Sequence, residues 1–200
     1  MSAPIRFYFD FTSTYSYIAV HQIDDLAARY GRGVEWNAVS LGHIFNAIGQ
    51  TPPPFIPDRL KYNLVDFPRS CAFAGLPCRM PDVFPFDAKH ARYVFWTLNA
   101  KDTALARAFT RAVMTRSFGL GGKIETAAEI AEACINLPGL DEAAIAEAAA
   151  NPAAKRAVVA AMDSARADGM IGAPFMVLDG EPFWGADRFD QIKRRLAEKR

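Results

Sequence analysis

Three hydroxyls in a row, Thr12-Ser13-Thr14, follow the strand-like run Ile5-Arg6-Phe7-Tyr8-Phe9. After them comes a helical pattern in which Ala19, Ile23, Leu26, Ala27 and Tyr30 recur at spacings of three and four. A strand-to-helix turn of this kind leaves unpaired amides and a partial positive charge at the helix start, which favours an anion such as a thiolate. A Ser or Thr there also serves as an ordinary N-cap. Much later, Gly172-Ala173-Pro174 stands immediately before another strand-like run. A cis proline there would present the Ala173 backbone to a ligand, although X-Pro bonds are far more often trans. Trp184-Gly185-Ala186-Asp187-Arg188 joins the last strand to the last helix, with Asp187 at a helix N-terminus, where capping is its plain role.

The other reactive residue types point away from other chemistries. Cys71, Cys78 and Cys134 make neither a CxxC redox pair nor zinc-knuckle spacing, and read as buried or incidental thiols. His21, His43 and His90 lie far apart with no HxxxH or HExxH spacing, so no metal is expected. With 23 Lys and Arg against 22 Asp and Glu, no global field holds the chain on nucleic acid or an anionic membrane. No run approaches the roughly 20 apolar residues of a membrane span. The opening residues lack the pattern of a secretory signal, and a cytoplasmic location is the expectation.

The elements that must position these residues follow from periodicity. In the first strand, Ile5, Phe7 and Phe9 share a face. Gly31 and Gly33 end the first helix, and Val34 to Val39 alternates as a second strand, so the β-α-β unit predicts a parallel pair. From Leu41, the prolines at 52–54, 57, 68, 77, 81 and 85 predict a long ordered connection or short helices. Residues 87–169 are helical in composition, with breaks near Gly119–Gly122, Leu137–Gly139 and Asn151-Pro152, and predict about four helices. Phe175–Leu178, Asp179-Gly180 and Glu181–Trp184 read as a hairpin, with a last helix over 187–198. The order β-α-β, helical block, β-β-α predicts an α/β fold: a thioredoxin-like domain with a large all-helical insertion. Residues 1–40 and 170–200 form the discontinuous thioredoxin-like domain, and 41–169 the insertion. At 51% hydrophobic residues, a core forms without disulfide staples.

FDFTSTYSYIA, together with GAPFMVLDGEPFWGADRF near the other end, resembles the 2-hydroxychromene-2-carboxylate isomerase family, relatives of the kappa-class glutathione transferases and DsbA-like proteins. The central GQTPPPFIPDRLKY resembles the family's proline-containing glutathione loop, and the likeness covers nearly the whole chain. The resemblance implies glutathione as cofactor, with Ser13 approaching its sulfur. Thr14 stands where the family's motif carries proline, which sets a second hydroxyl beside the site. It further implies that Ala173, before Pro174, pairs with the glutathione backbone, and that Ala186 and Asp187 receive the γ-glutamyl end. Gln50 and Arg59 hold the peptide in the central loop, with Lys61 the alternative cation to Arg59. Partners implied are a small aromatic acid and a second copy of the chain in a homodimer.

With no CxxC, the nucleophile comes from the bound cofactor rather than a cysteine of the chain. Lowering a thiol pKa from about 8.5 by about two units makes thiolate the majority form at neutral pH. The resemblance implies reversible thiolate addition that interconverts 2-hydroxychromene-2-carboxylate and trans-o-hydroxybenzylidenepyruvate in naphthalene-type degradation. Phe45, Phe55, Phe84 and Phe86 are available for an apolar slot, or for the core. Two other readings stand beside this one. The first is a kappa-like transferase that conjugates electrophiles at the same site, and the second is a redox-dead thioredoxin-fold binding module without turnover.

Overall fold

The computed structural model describes residues 3–198. Its centre is a four-stranded sheet in the order β2-β1-β3-β4, from β1 (Ile5–Phe9), β2 (Val34–Ala38), β3 (Phe175–Leu178) and β4 (Glu181–Trp184). β1 and β2 are parallel, with Phe7 opposite Trp36, while β1 pairs antiparallel with β3, and β3 with β4. Both the crossover and the hairpin expected from sequence are therefore present.

β1 is central and covered on both faces, so its burial goes beyond simple alternation. Ile5, Phe7 and Phe9 pack into the larger core with Trp36, Phe95 and Phe109. Tyr8 points the other way, into a second cluster with Val39, Ile44, Ala161 and Phe175. Its hydroxyl donates to Asp168 at 2.6 Å, and Arg6 donates to the same carboxylate at 2.8 and 2.6 Å, which ties the end of α9 (Pro152–Ala167) to the strand. Helices on both faces thus fix β1, and with it the turn that carries Ser13.

Three helical readings need correction. The first helix is two: α1 (Thr14–Val20) and α2 (Ile23–Arg29), separated at His21-Gln22. The His21 ring packs edge-on against Tyr17 and meets Thr115 Oγ1 at 3.1 Å, so the helix ends where that side chain turns inward. After the short α3 (Leu41–Ala47) and a 3₁₀ turn at Pro53–Phe55, the proline-bearing stretch forms the 18-residue α4 (Pro57–Ala74). Pro57 occupies the first helical position, where its missing N–H and fixed φ suit a helix, and Pro68 is accommodated inside.

The helical block then holds five α-helices, not about four: α5 (Lys89–Asn99), α6 (Thr103–Met114), α7 (Ala127–Ala133), α8 (Glu142–Ala150) and α9. The additional break is made by Asp102, whose carboxylate caps α6 by accepting from the Ala104 and Leu105 amides. α10 (Phe189–Glu198) closes the described chain. Among the described residues, no helix is long and apolar enough to cross a membrane, and no His, Cys, Asp and Glu cluster could hold a metal ion.

Candidate active site

The C-terminal end of β1 delivers the chain into the turn 10–13, and the backbone closes it with Ser13 N–H donating to the Asp10 carbonyl at 3.0 Å. Ser13 is the N-cap of α1: its Oγ accepts from the Ser16 amide at 3.1 Å. The same hydroxyl donates to the Ala173 carbonyl at 3.0 Å, so capping and a site role are both open to one side chain. One lone pair holds the helix end, and the hydrogen is free to swing to another acceptor. The Thr14 and Tyr15 amides of the first turn donate to no group among the described residues. Because α1 has only seven residues, these local amides carry the effect that the sequence assigned to a longer helix dipole.

The other end motifs meet this turn. The Ala173-Pro174 bond is cis, and the Ala173 N–H makes no hydrogen bond within the described residues. The Pro174 carbonyl accepts from the Gly185 amide at 2.9 Å, which joins the loop before β3 to the loop after β4. Gly185 has φ 110, a region that favours glycine, and an added Cβ would strike the Asp187 carboxylate. A Cβ on Gly172 would strike the Trp184 indole, so glycine lets that ring lie across the entrance to β3.

One groove of about 1770 Å³ takes in Ser13, Arg59, Ala173, Ala186 and Asp187. Single small-molecule sites usually measure about 300–1,000 Å³, so this one has room for a tripeptide and a bicyclic acid together. Gln50 is exposed and lies outside the lining, with its backbone N–H donating to the Phe45 carbonyl at 2.9 Å. Pro174 is buried behind Ala173 and shapes the wall without lining it. Of the two cations considered on α4, Arg59 lines the groove, whereas Lys61 is exposed and does not. Phe45, Phe55, Phe84 and Phe86 all line it too.

Thr14 is 4% exposed and its Oγ1 accepts from Asn63 Nδ2 at 3.1 Å, so this hydroxyl is anchored to α4 while Ser13 faces Ala173. Asn63 belongs to a polar stripe, Arg59, Asn63, Asp66 and Ser70, along the groove side of α4. Asp66 accepts from the Tyr15 hydroxyl at 2.5 Å and from Arg69 at 2.7 Å. Burial opposes ionisation of Asp66, but those hydrogen bonds outweigh it and hold its carboxyl below the ordinary range. Burial, with the Asp66 hydrogen bond added, pushes the Tyr15 phenol up, so Tyr15 stays protonated. Sequence reasoning picked out Arg59 but missed Asn63, Asp66 and Ser70, because the prolines predict a long ordered connection or short helices rather than one 18-residue helix. It also missed Asp10 and Arg92, a buried pair below the turn, although a cation inside the apolar run Ala91-Arg92-Tyr93-Val94-Phe95 was a usable signal.

Comparison with known proteins agrees with this geometry. The DSBA-like thioredoxin domain family matches residues 4–197. The chain is 30% identical to a 2-hydroxychromene-2-carboxylate isomerase of Sphingobium xenophagum, over 99% of this chain and all of that one. A solved structure of 2-hydroxychromene-2-carboxylate isomerase superposes with a TM-score of 0.85 at 26% identity, covering 98% of this chain and 95% of the other. Glutathione S-transferase kappa 1 of Caenorhabditis elegans is 28% identical over 60% of this chain and 56% of its own.

Proposed function

The chain belongs to the DsbA-like thioredoxin family and, within it, to the 2-hydroxychromene-2-carboxylate isomerases, and from that premise we propose that it isomerises 2-hydroxychromene-2-carboxylate with glutathione as cofactor. The observation that carries the reading is the Ser13 hydroxyl: held by the Ser16 amide, it donates to the Ala173 carbonyl at the wall of a groove that also takes in Arg59 and Asp187.

The groove suits glutathione in its own chemistry. The Ala173 N–H is unspent, so a backbone donor awaits a peptide carbonyl. Arg59 is the cation for the glycyl carboxylate, and Asp187, with Ala186, receives the γ-glutamyl ammonium. When bound, glutathione supplies a thiolate able to add reversibly to a conjugated double bond. Ser13 Oγ keeps its proton and turns it from the Ala173 carbonyl towards the anion, assisted by the Thr14 and Tyr15 amides. Trp184 and the phenylalanines of the groove wall give the reacting centre an apolar surround.

The test follows the ultraviolet spectrum of 2-hydroxychromene-2-carboxylate with and without glutathione. Conversion to the ring-opened isomer only when glutathione is present, with the glutathione recovered, is the expected result. Glutathione-independent conversion contradicts the cofactor's role, and accumulation of a stable conjugate establishes a transferase instead.

A further inference from the structure

The floor of the groove holds a charge that the reading above does not use. Arg92 is 7% exposed, yet it lines the groove below the Ser13 turn. Its Nε donates to the Val39 carbonyl at 2.7 Å, and its Nη2 reaches Asp10 Oδ1 and Oδ2 at 3.3 and 3.4 Å. Charge-assisted bonds of this type usually close to about 2.7–2.9 Å, so the pair is loose. Asp10 is satisfied elsewhere: its carboxylate also accepts from the Thr12 amide at 2.9 Å, the Thr12 hydroxyl at 3.1 Å and the Leu41 amide at 2.6 Å. The anion is therefore largely met by neutral donors, while the cation is not fully met by the anion. Arg92 Nη1 donates to no group among the described residues and is not sealed from solvent.

A guanidinium held this deep with part of its charge unspent is expensive unless an anion completes it. We propose that Arg92 is the anchor for the carboxylate of the aromatic acid, with Asp10 the residue that positions its guanidinium; the assignment rests on the isomerase reading. The ring-closed substrate carries a hydroxyl on the carbon that bears its carboxylate, and the open form carries an oxo group there. Each therefore presents two oxygens side by side, the pattern that a planar guanidinium fork matches and a lysine does not. Phe84, Phe86, Tyr93, Val158 and Met162 line the same groove and supply apolar surface for the aromatic ring.

Other cations of the groove are less suited. Arg188 is held by Asp187 at 2.5 Å, and Arg69 by Asp66 at 2.7 Å. Lys89 and Lys155 are exposed, where water competes for any anion they meet. Arg92 combines burial, a fork geometry and an unused N–H.

The experiment is calorimetric binding of benzylidenepyruvate, an aromatic 2-oxo acid, and of its methyl ester, both without glutathione. Wild-type protein is expected to prefer the acid by about 30-fold, the range of a buried charged hydrogen-bond pair. Arg92→Lys should lose most of that preference. The double variant Asp10→Asn with Arg92→Gln, which replaces the ion pair by neutral hydrogen-bonding groups, should lose all of it. Lys89→Ala and Lys155→Ala should retain it. A glutathione-induced rise in melting temperature in every variant shows that each is folded and keeps its cofactor site. The proposal is overturned if wild type binds acid and ester equally, or if the folded Arg92 variants keep the wild-type preference. Wild type that prefers the acid yet fails to isomerise contradicts the functional reading and leaves the anchor supported.

Discussion

The floor and the rim of the groove are built on opposite principles. In the floor, Asp10, Ser13, Thr14 and Arg92 are each less than a tenth exposed, and every one is hydrogen-bonded within the protein. On the rim, Arg59 and Asp187 stand in solvent. A polar group in the floor must be answered by the chain itself, whereas a rim charge is answered by water, or, for Asp187, by water and its neighbour Arg188. Changes in the floor should therefore cost stability and chemistry together, and changes on the rim should cost ligand affinity alone.

The largest effect on stability is expected at Asp10. Asp10→Ala leaves Arg92 buried with a missing partner and should cost about 3–5 kcal/mol in denaturant unfolding. Asp10→Asn keeps one acceptor oxygen, for Thr12 or for Leu41 but not both, and should cost less than Asp10→Ala; equal losses for the two would break the distinction between floor and rim. Next come Arg59→Ala and Asp187→Ala, expected to weaken glutathione binding about tenfold each by titration calorimetry. Their stability without ligand should stay within about 0.5 kcal/mol of wild type. Lys61→Ala should change neither quantity, and a loss of glutathione affinity there would reassign the cation of α4.

A smaller effect concerns pH. Burial, with Arg111 beside it, pushes the His21 imidazole down to about 4 from its ordinary 6.5. Above pH 6.5, this group is neutral in both folded and unfolded chains and contributes no pH dependence. As pH falls below that value, the unfolded chain takes up the proton first, so stability declines until about pH 4. His21→Gln should flatten this part of the stability profile. An unchanged slope between those limits would show that His21 is not the group responsible.

The same contrast explains what the sequence revealed. The sheet was legible because alternation in β1 and β2 and the Asp179-Gly180 turn each have a single reading. Ser13 was legible as a cap from its local context, whereas its meeting with Ala173 was legible only through the resemblance, since no periodicity brings the two together. The α4 wall was hidden because Pro57 and Pro68 signal a break, while the structure uses one to start the helix and tolerates the other within it. The stripe from Arg59 to Ser70 becomes visible only once that helix is known. The break at His21 was hidden for the converse reason: Ala19, Ile23 and Leu26 keep helical spacing across it, and only the inward turn of the histidine ends α1.

Ser13 belongs to the floor but is proposed to act on a ligand held from the rim, so it tests the account most directly. The measurement is the ultraviolet absorbance of the glutathione thiolate, titrated against pH in complexes with wild type and with Ser13→Ala. The wild-type complex should ionise about two units below the free thiol's pKa of about 8.5. The Ser13→Ala complex, with glutathione still bound, should return at least half of that distance. Ionisation at the same pH in both complexes would contradict the role assigned to Ser13.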